Sequence, residues 1–498
     1  MSPQRAIRDR SLLIGKNLVN GNWIESQSGQ RFNVYDPATG ELIGSCPEST
    51  EQDALEAINA AAAAMPAWRS RSGRERGRIL RRWYELVLEN RQDLATIISW
   101  ENGKAQTDAM GEVMFAASFL EWFSEEAARV YGDIIPHSTP GFRVAVVKEP
   151  VGVCGLITPW NFPGAMVARK LGPALAAGCT VVVKTAGETP FTANAMAYLA
   201  ERAGVPKGVI NIVTALENTP RIGQILCSST VIRKISFTGS TRVGRLLMKQ
   251  SSDTVKKLSL ELGGNAPFIV FNDADVDLAV KGVVSAKFKV TGQTCVCANR
   301  IYVQSAVYEE FVRRLTAAIA TFKVGNSADS SVTHGPLINA MAASRVSEMV
   351  EDAVKKGAKV VAGGNKIPAM GPAFHEPTIL TNITQDMRVV SEEIFGPVAA
   401  IQRFEGENEV VDAANDCDVG LASYIYTEDV RRVSRVSETL HSGMVAVNTG
   451  VISDAASPFG GIKQSGVGRE GSKYGMDDYM QTKTVVMGNS NVVHRACI

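Results

Sequence analysis

The chain has 498 residues, more than one hydrophobic core usually serves, so its length predicts two or more domains. Hydrophobic residues make up 45% and charged residues 21% of the sequence, which is typical of a globular protein and argues against disorder. The 52 basic and 51 acidic residues leave a net charge of +1. This balance gives no overall attraction to nucleic acid or to an anionic membrane, and a small-molecule partner is expected instead.

Cysteine usage and the N-terminal segment bear on the compartment. Eight cysteines are too sparse for a disulfide-linked secreted scaffold and predict a reducing environment. The segment MSPQRAIRDRSLLIGK lacks the apolar core of a signal peptide, and no window reaches about 18 uninterrupted apolar residues, so we expect a cytoplasmic protein. The arginines of this segment also resemble a mitochondrial presequence, which stays an alternative. Because the five histidines are scattered singly, no metal site is predicted.

In chain order, the predicted elements begin with a helical layer, since residues 50–130 carry apolar positions at three- and four-residue spacing. From Val144 onward, short β-branched runs such as TVVVK and KISFTG alternate with helical segments, and a second alternating region contains RIYVQ and AAIQRF. This alternation is typical of βαβ units, so the fold class is predicted as α/β with two domains in tandem. The tail DDYMQTKTVVMGN ends in an extended run suited to pairing with another sheet, including one in a partner subunit.

The segment SFTGSTRVG places Gly239 and Gly244 between a strand and a helix. A glycine turn lets the backbone approach a diphosphate, and the helix N-terminus presents free N–H groups to it. The spacing is not G-x-G-x-x-G, so a plain turn capped by Ser240 or Thr241 stays an equal alternative. Lys184, which ends the strand TVVVK, lies where ligands of open α/β sheets bind, although an isolated lysine there is more often a solvated surface charge.

Two cysteines, Cys295 and Cys297, lie in the polar segment GQTCVCANR. A nucleophilic cysteine needs access and a lowered pKa, which a loop supplies, whereas most cysteines are simply buried apolar side chains. Two further groups suit the chemistry of such a nucleophile. Glu261 in LELGGNAP is an exposed strand-end base, and Asn161 in TPWNFP is an amide donor held in a stiff turn.

Seven motifs, in order and spacing, resemble the aldehyde dehydrogenase superfamily along essentially the whole chain, and most closely its succinate-semialdehyde dehydrogenases: TPWNFP, KTAGETP, FTGSTRVG, LELGGNAP, GQTCVCANR, EEIFGP and PFGGIKQSGVGREG. The resemblance implies two Rossmann-like α/β domains plus a small β oligomerisation extension. It implies a cofactor domain from 1–131 and 151–262, a catalytic domain from 263–477, and an extension from 132–150 and 478–498. A homodimer or homotetramer is implied.

The resemblance also implies catalytic roles. Cys295 would attack the aldehyde, and the amide of Asn161 with the backbone N–H of Cys295 would hold the oxyanion of the thiohemiacetal. After hydride transfer to a nicotinamide, Glu261 would activate water to hydrolyse the thioester, so the free acid is the expected product. Cys297 is a candidate for redox regulation through a disulfide with Cys295, with simple packing as the equal alternative.

The remaining implied residues bind cofactor and substrate. Those expected at the cofactor are Thr158, Trp160, Lys184, Gly187, Gly239, Ser240, Gly244, Glu393 and Phe395. NAD-preferring relatives carry glutamate where this chain has Gly187, so NADP is favoured and NAD stays open. Those expected at an ω-carboxylate substrate are Arg169, Lys289, Ser453 and Phe459. Lys289 replaces the family's arginine, which predicts looser carboxylate recognition.

Three alternatives remain. A cysteine hydrolase would use Cys295 and Glu261 without a cofactor, and growth of the reduced-cofactor absorbance would exclude it. A binding or structural role fits poorly with a cysteine, a glutamate and an asparagine that all suit one reaction. Within the superfamily, another semialdehyde dehydrogenase or a broad-range enzyme is the serious alternative.

Overall fold

The structure is a computed structural model that describes residues 6–488. Four helices form the predicted helical layer: Glu51–Arg69, Gly73–Glu89, Arg91–Asn102 and Gln106–Glu126. The first two begin with capping boxes at Thr50 and Ser72, in which the cap side chain and the acid three residues on bond each other's backbone N–H. The prediction of a helical layer is confirmed.

The first sheet has eight strands, in the order Asn22–Ile24, Asn17–Val19, Ile210–Val213, Thr180–Lys184, Val153–Ile157, Ile232–Thr238, Lys257–Glu261 and Gly466–Val467. The five central strands are parallel, and the outer ones pair antiparallel. The helices associated with this part of the chain are Ala165–Ala177, Pro190–Arg202, Thr219–Ser228 and Thr241–Ser251. The strand order reverses between Val153–Ile157 and Ile232–Thr238, and a ligand crevice is expected at such a switch point.

The second sheet has seven strands, in the order Lys359–Ala362, Thr378–Thr381, Val398–Phe404, Ala298–Gln304, Ala266–Val270, Ala422–Tyr426 and Met444–Val447. All neighbours are parallel except the first pair. Its longer helices are Val276–Val283, Ser305–Ile319, Ala340–Lys355, Glu407–Asn415 and Val430–Thr439. Two parallel sheets confirm the predicted α/β class. The chain passes from the first sheet to the second between Glu261 and Ala266 and returns to the first at Gly466–Val467, and the implied domain bounds stay a prediction.

A third, three-stranded sheet stands apart from the other two. Asp133–Pro136 and Met480–Met487 pair antiparallel with the two edges of Arg143–Pro150. The predicted pairing of the tail with another sheet is therefore seen within this chain, although residues 489–498 of the predicted extension lie outside the described residues. Between residues 6 and 488, no helix is both long and apolar enough to span a bilayer.

Candidate functional site

A cavity of about 330 Å³ opens at the carboxyl ends of the first sheet's strands and reaches the cysteine loop of the second domain. Eleven of the residues predicted for the site line it: Trp160, Asn161, Arg169, Gly239, Ser240, Glu261, Cys295, Glu393, Phe395, Ser453 and Phe459. Residues far apart in the sequence thus meet around one space.

The loop that carries Cys295 is fixed on both sides. The chain enters it through a π-helical turn, Val284–Phe288, and a 3₁₀ turn in which Val290 and Thr291 adopt positive φ angles of 53° and 54°. The Val290 N–H donates to Asp108 at 2.9 Å, and the Tyr424 hydroxyl donates to the Val296 carbonyl at 2.8 Å. These contacts hold the Cys295 side chain half-buried at the cavity wall.

The two thiols differ in setting. Burial raises the pKa of Cys295 to about 12, the carboxylates of Glu261 and Glu393 add to this, and Arg169 opposes it. Cys297 is buried, does not line the cavity, and donates its S–H to the Gly292 carbonyl at 3.3 Å. Both are free thiols. Cys295 is therefore the accessible thiol, and it needs a base close by to become a thiolate.

Asn161 is anchored from both its backbone and its side chain. Its Nδ2 donates to the Gln293 carbonyl at 3.0 Å, and its own carbonyl accepts from Lys104 Nζ at 2.7 Å. Lys104 in turn pairs with the buried Glu112 at 2.5 Å, and Glu112 accepts the Gly164 N–H at 2.8 Å. Because an amide has two N–H donors, one remains for a group in the cavity. Sequence reasoning missed Lys104 and Glu112.

Four buried charged side chains form a cluster beside the cavity, which two of them, Arg169 and Glu261, line: Arg169, Lys170, Glu261 and Glu470. The expectation that Glu261 is exposed is wrong, because pairing with Arg169 holds its carboxyl in the interior. Arg169 donates from Nε to Glu470 at 2.8 Å and from Nη2 to Glu261. Lys170 donates to Glu470 and, at 3.0 Å, to the hydroxyl of Ser236. Two cations thus face two carboxylates, and each charge has a partner, as burial requires. Lys170 and Glu470 were not predicted. The signal for Lys170 was a second charge beside Arg169 in an otherwise apolar helix.

The pKa values of the two carboxyl groups in this cluster, Glu261 and Glu470, are far apart. Burial raises the pKa of Glu261 to about 8, with Arg169 opposing the rise and Glu470 adding to it. Burial also acts to raise the pKa of Glu470, but Lys170 and Arg169 outweigh it and hold that pKa at about 2. One Glu261 oxygen, Oε1, is buried and has no hydrogen-bond partner within the described chain. Glu261 is therefore placed to exchange a proton near neutral pH, whereas Glu470 stays ionised.

The predicted substrate residues do not all reach the cavity. The Arg169 guanidinium lies over the Phe459 ring at 4.2 Å, and both line the cavity with Ser453. Lys289 is exposed and is not among the lining residues, so its role at the substrate stays a prediction. It follows the π-helical turn Val284–Phe288, in which Lys287 is buried, 3.5 Å from the Asn299 side-chain oxygen.

Four groups define the edge of the cavity near the first sheet. Trp160 and Phe395 meet edge to face at 5.6 Å, and Phe395 holds a positive φ of 53°. Glu393 accepts the Gly264 N–H at 3.2 Å, and burial raises its pKa to about 7. Ser240 caps the helix Thr241–Ser251 and accepts the Val243 N–H at 3.4 Å. The capped turn is confirmed, and it directs a helix N-terminus toward this edge.

The other predicted cofactor residues do not line the cavity itself. Lys184 is buried and donates to the Ala215 carbonyl at 2.8 Å, and burial lowers its pKa to about 8. A Cβ at Gly187 would approach Leu216 Cδ1 at 2.7 Å, and one at Gly244 would approach Leu262 Cδ2 at 2.4 Å. The Thr158 N–H donates to the Lys184 carbonyl at 3.1 Å. The glycines are thus required by close packing, and these residues continue the strand-end edge outside the cavity.

Comparison with known proteins agrees with this geometry. The sequence profile described as "Aldehyde dehydrogenase family" matches residues 23–485. A glutarate-semialdehyde dehydrogenase of Pseudomonas aeruginosa is 52% identical over 97% of this chain and 99% of that protein. The Escherichia coli protein named succinate-semialdehyde dehydrogenase NADP(+) GabD is 50% identical over 97% of this chain and 99% of its own length. The crystal structure of a succinate-semialdehyde dehydrogenase from Burkholderia pseudomallei superposes with a TM-score of 0.95, at 52% identity, over 97% of this chain and 100% of that one.

Gly264 offers a test of the loop that presents Cys295. A Cβ at this position would lie 2.4 Å from the Cys295 carbonyl oxygen, so Gly264→Ala must displace the loop. We expect alkylation of Cys295 by iodoacetamide to change at least about threefold in rate, the effect of roughly 0.7 kcal/mol in the barrier. Gly111→Ala is the matched control, because a Cβ there meets nothing within 4 Å. Equal alkylation rates in both variants and the unaltered protein would contradict the described loop.

Proposed function

The chain belongs to the aldehyde dehydrogenase family, and on that premise we propose that it oxidises short aldehydes with a terminal carboxylate, succinate semialdehyde first, to the acid with NADP or NAD. The observation that carries the substrate class is the buried Arg169 guanidinium, which lines the same cavity as the Cys295 thiol. A carboxylate is the natural partner of a buried guanidinium. An aldehyde that carries one is thereby oriented with its other end toward the sulfur.

Thioester formation uses three side chains of the cavity. Cys295 loses its proton to a base, a role assigned to Glu261 in the same cavity, and its sulfur attacks the aldehyde carbon. The free N–H of the Asn161 amide and the Cys295 backbone N–H stabilise the oxyanion that develops. The bound nicotinamide supplies a hydride acceptor, and the thiohemiacetal becomes a thioester. Trp160, Glu393 and Phe395, with the capped turn at Ser240, are proposed to hold the cofactor at the cavity edge.

Hydrolysis of the thioester is assigned to Glu261. Once the proton taken from Cys295 has passed to solvent, its ionised carboxylate removes a proton from water, which attacks the thioester carbon, and the released Cys295 thiolate takes that proton back as the acid leaves. Because the pKa of Glu261 is raised to about 8, the ionised fraction grows as the pH rises through that value. Deacylation should therefore be slow in mild acid and reach its maximum above pH 8.

Ser453 tests the substrate assignment without disturbing the charge cluster. It lines the cavity beside Phe459, and its side chain makes no hydrogen bond within residues 6–488. We expect Ser453→Ala to raise KM for succinate semialdehyde at least about tenfold, the effect of one lost hydrogen bond to a charged group, and to leave KM for butanal unchanged. Steady-state kinetics with both aldehydes measures this.

A control and a contrary outcome complete the substrate test. Ser457, exposed in the same loop, provides the matched variant Ser457→Ala, which should behave as the unaltered protein. If the unaltered protein oxidised butanal as efficiently as succinate semialdehyde, the proposed substrate class would be wrong. Glutarate semialdehyde belongs in the same panel, since a relative half identical to this chain is named for it. A preference for glutarate semialdehyde would mean that the preferred substrate is one methylene longer but belongs to the same class.

A cofactor preference for NADP is proposed from Gly187 and Lys184. Glutamate at position 187 would repel a 2′-phosphate, and glycine does not. The contact of a Cβ with Leu216 explains why this backbone favours glycine here. Lys184 was predicted from the sequence to bind the cofactor, and its ammonium supplies a positive charge for the 2′-phosphate. NAD remains the alternative.

Lys184→Met tests the cofactor assignment. Loss of the ammonium should lower kcat/KM for NADP about tenfold more than for NAD, because a 2′-phosphate carries charge that a hydroxyl lacks. In the unaltered protein, KM for NADP should rise with pH above 8, since the pKa of Lys184 is lowered to about 8 and the side chain loses its charge there. An equal loss with both cofactors would count against a phosphate contact.

Assembly, location and redox control are proposals as well. The three-stranded sheet exposes apolar side chains, and we propose that it joins subunits of a homodimer or homotetramer: Ile134, Ile135, Val485, Val486 and Met487. The cytoplasmic location stays a prediction, with the mitochondrial alternative. A Cys295–Cys297 disulfide also stays a prediction, and it requires the Cys297 thiol to leave its contact with Gly292.

A further inference from the structure

The buried cluster has one positive charge more than Glu470 neutralises. Both Glu261 and the substrate's carboxylate could pair with that charge. Arg169 and Lys170 carry two positive charges, and Glu470, with its pKa held at about 2, neutralises one of them at any working pH. The remaining charge faces Glu261, which is ionised in the pH range above its pKa of about 8. In that range a substrate carboxylate that enters this buried place adds a further negative charge, which burial penalises unless Glu261 gives way.

Hydrogen-bond geometry points the same way. Nε of Arg169 is occupied by Glu470, so the guanidinium has one edge left, formed by Nη1 and Nη2. Nη2 donates to Glu261 and to the Met166 sulfur, and Nη1 makes no hydrogen bond within the described residues. A bidentate grip on a carboxylate needs both nitrogens. The substrate can therefore take this edge only when Glu261 leaves it.

We propose that Arg169 is shared in turn by Glu261 and by the substrate's carboxylate, so that an ω-carboxy aldehyde displaces Glu261 from its ion pair and releases this base into the cavity. This inference rests on the proposed function. The substrate's charged end would then both orient the aldehyde and free the group that the reaction needs. An aldehyde without a carboxylate would leave Glu261 bound to Arg169, which gives a specificity beyond that of binding alone.

The exchange has a consequence for protons. Glu261 faces two cations, another carboxylate, a thiol and a hydroxyl, from four elements packed around it: Arg169, Lys170, Glu470, Cys295 and Thr238. Of these, Arg169 is the one that the substrate removes. A carboxyl deprived of its cation binds a proton more tightly, so its pKa rises on ligand binding, and its ionised form, present above that pKa, is a stronger base toward water. By linkage, a carboxylate ligand must bind more weakly as the pH rises.

Butyrate, which carries the carboxylate but no aldehyde, is the probe. We expect its Kd, measured by calorimetry on the full chain, to weaken about tenfold between pH 7 and pH 9, where butyrate itself stays ionised. In Glu261→Gln the Kd should be independent of pH and equal to the low-pH value of the unaltered protein. Glu393→Gln is the matched control, because it removes another buried carboxylate of the same cavity, and it should keep the slope.

Two results would overturn the inference: a flat Kd in the unaltered protein, or the same slope in Glu261→Gln. Should that variant not fold, proton uptake decides the question, since butyrate binding at pH 8.5 must take protons from the buffer. Titrations in two buffers with different ionisation enthalpies measure this uptake, and an uptake of zero contradicts the exchange. If succinate semialdehyde were oxidised well but butyrate bound with no pH dependence, the proposed function would stand and this inference would fall. An enzyme without preference for ω-carboxy aldehydes would refute the proposed function instead.

Discussion

The rest of the site depends on four charges that the fold takes out of water. Arg169, Lys170, Glu261 and Glu470 are at most 3% exposed, and a buried charge without a partner costs several kcal/mol. Each must therefore meet its counterion, and the counterions come from three distant parts of the chain. Pairing fixes the helix Ala165–Ala177 against the end of the strand Lys257–Glu261 and against the segment around Glu470. The floor of the cavity is thus set by electrostatics as much as by apolar packing.

Burial also governs the Cys295 thiol and the Glu261 carboxyl, which are proposed to act as nucleophile and base. Burial raises the pKa of both Cys295 and Glu261, so neither group ionises freely in the resting site. In the proposed exchange, the substrate's carboxylate takes Arg169 from Glu261, which can then move a proton. Asn161 is tied through its carbonyl to Lys104. A fixed donor beside a carboxylate that changes partner would suit a two-step reaction through a thioester.

Much of this could be read from the sequence. Alternating β-branched and amphipathic runs identified the parallel sheets, and seven motifs located Cys295, Glu261 and Asn161, because each sits at a strand end or turn with a local signature. Lys170 and Glu470 were missed since their roles arise from pairing across about 300 positions, which no local pattern encodes. The π-helical turn Val284–Phe288 was also missed, because its residues VSAKF have the pattern of an ordinary helix.

The central claim is that Cys295 and Glu261 act in succession on the same carbon, the first to form a thioester and the second to hydrolyse it. Mass spectrometry of Glu261→Gln, quenched after mixing with succinate semialdehyde and NADP, tests this most directly. We expect reduced cofactor to stop at one equivalent, formed more slowly than in the unaltered protein because the base for Cys295 is missing, and an acyl group to accumulate on the peptide that contains Cys295. Continued turnover in this variant, or an acyl group on any other residue, would contradict it.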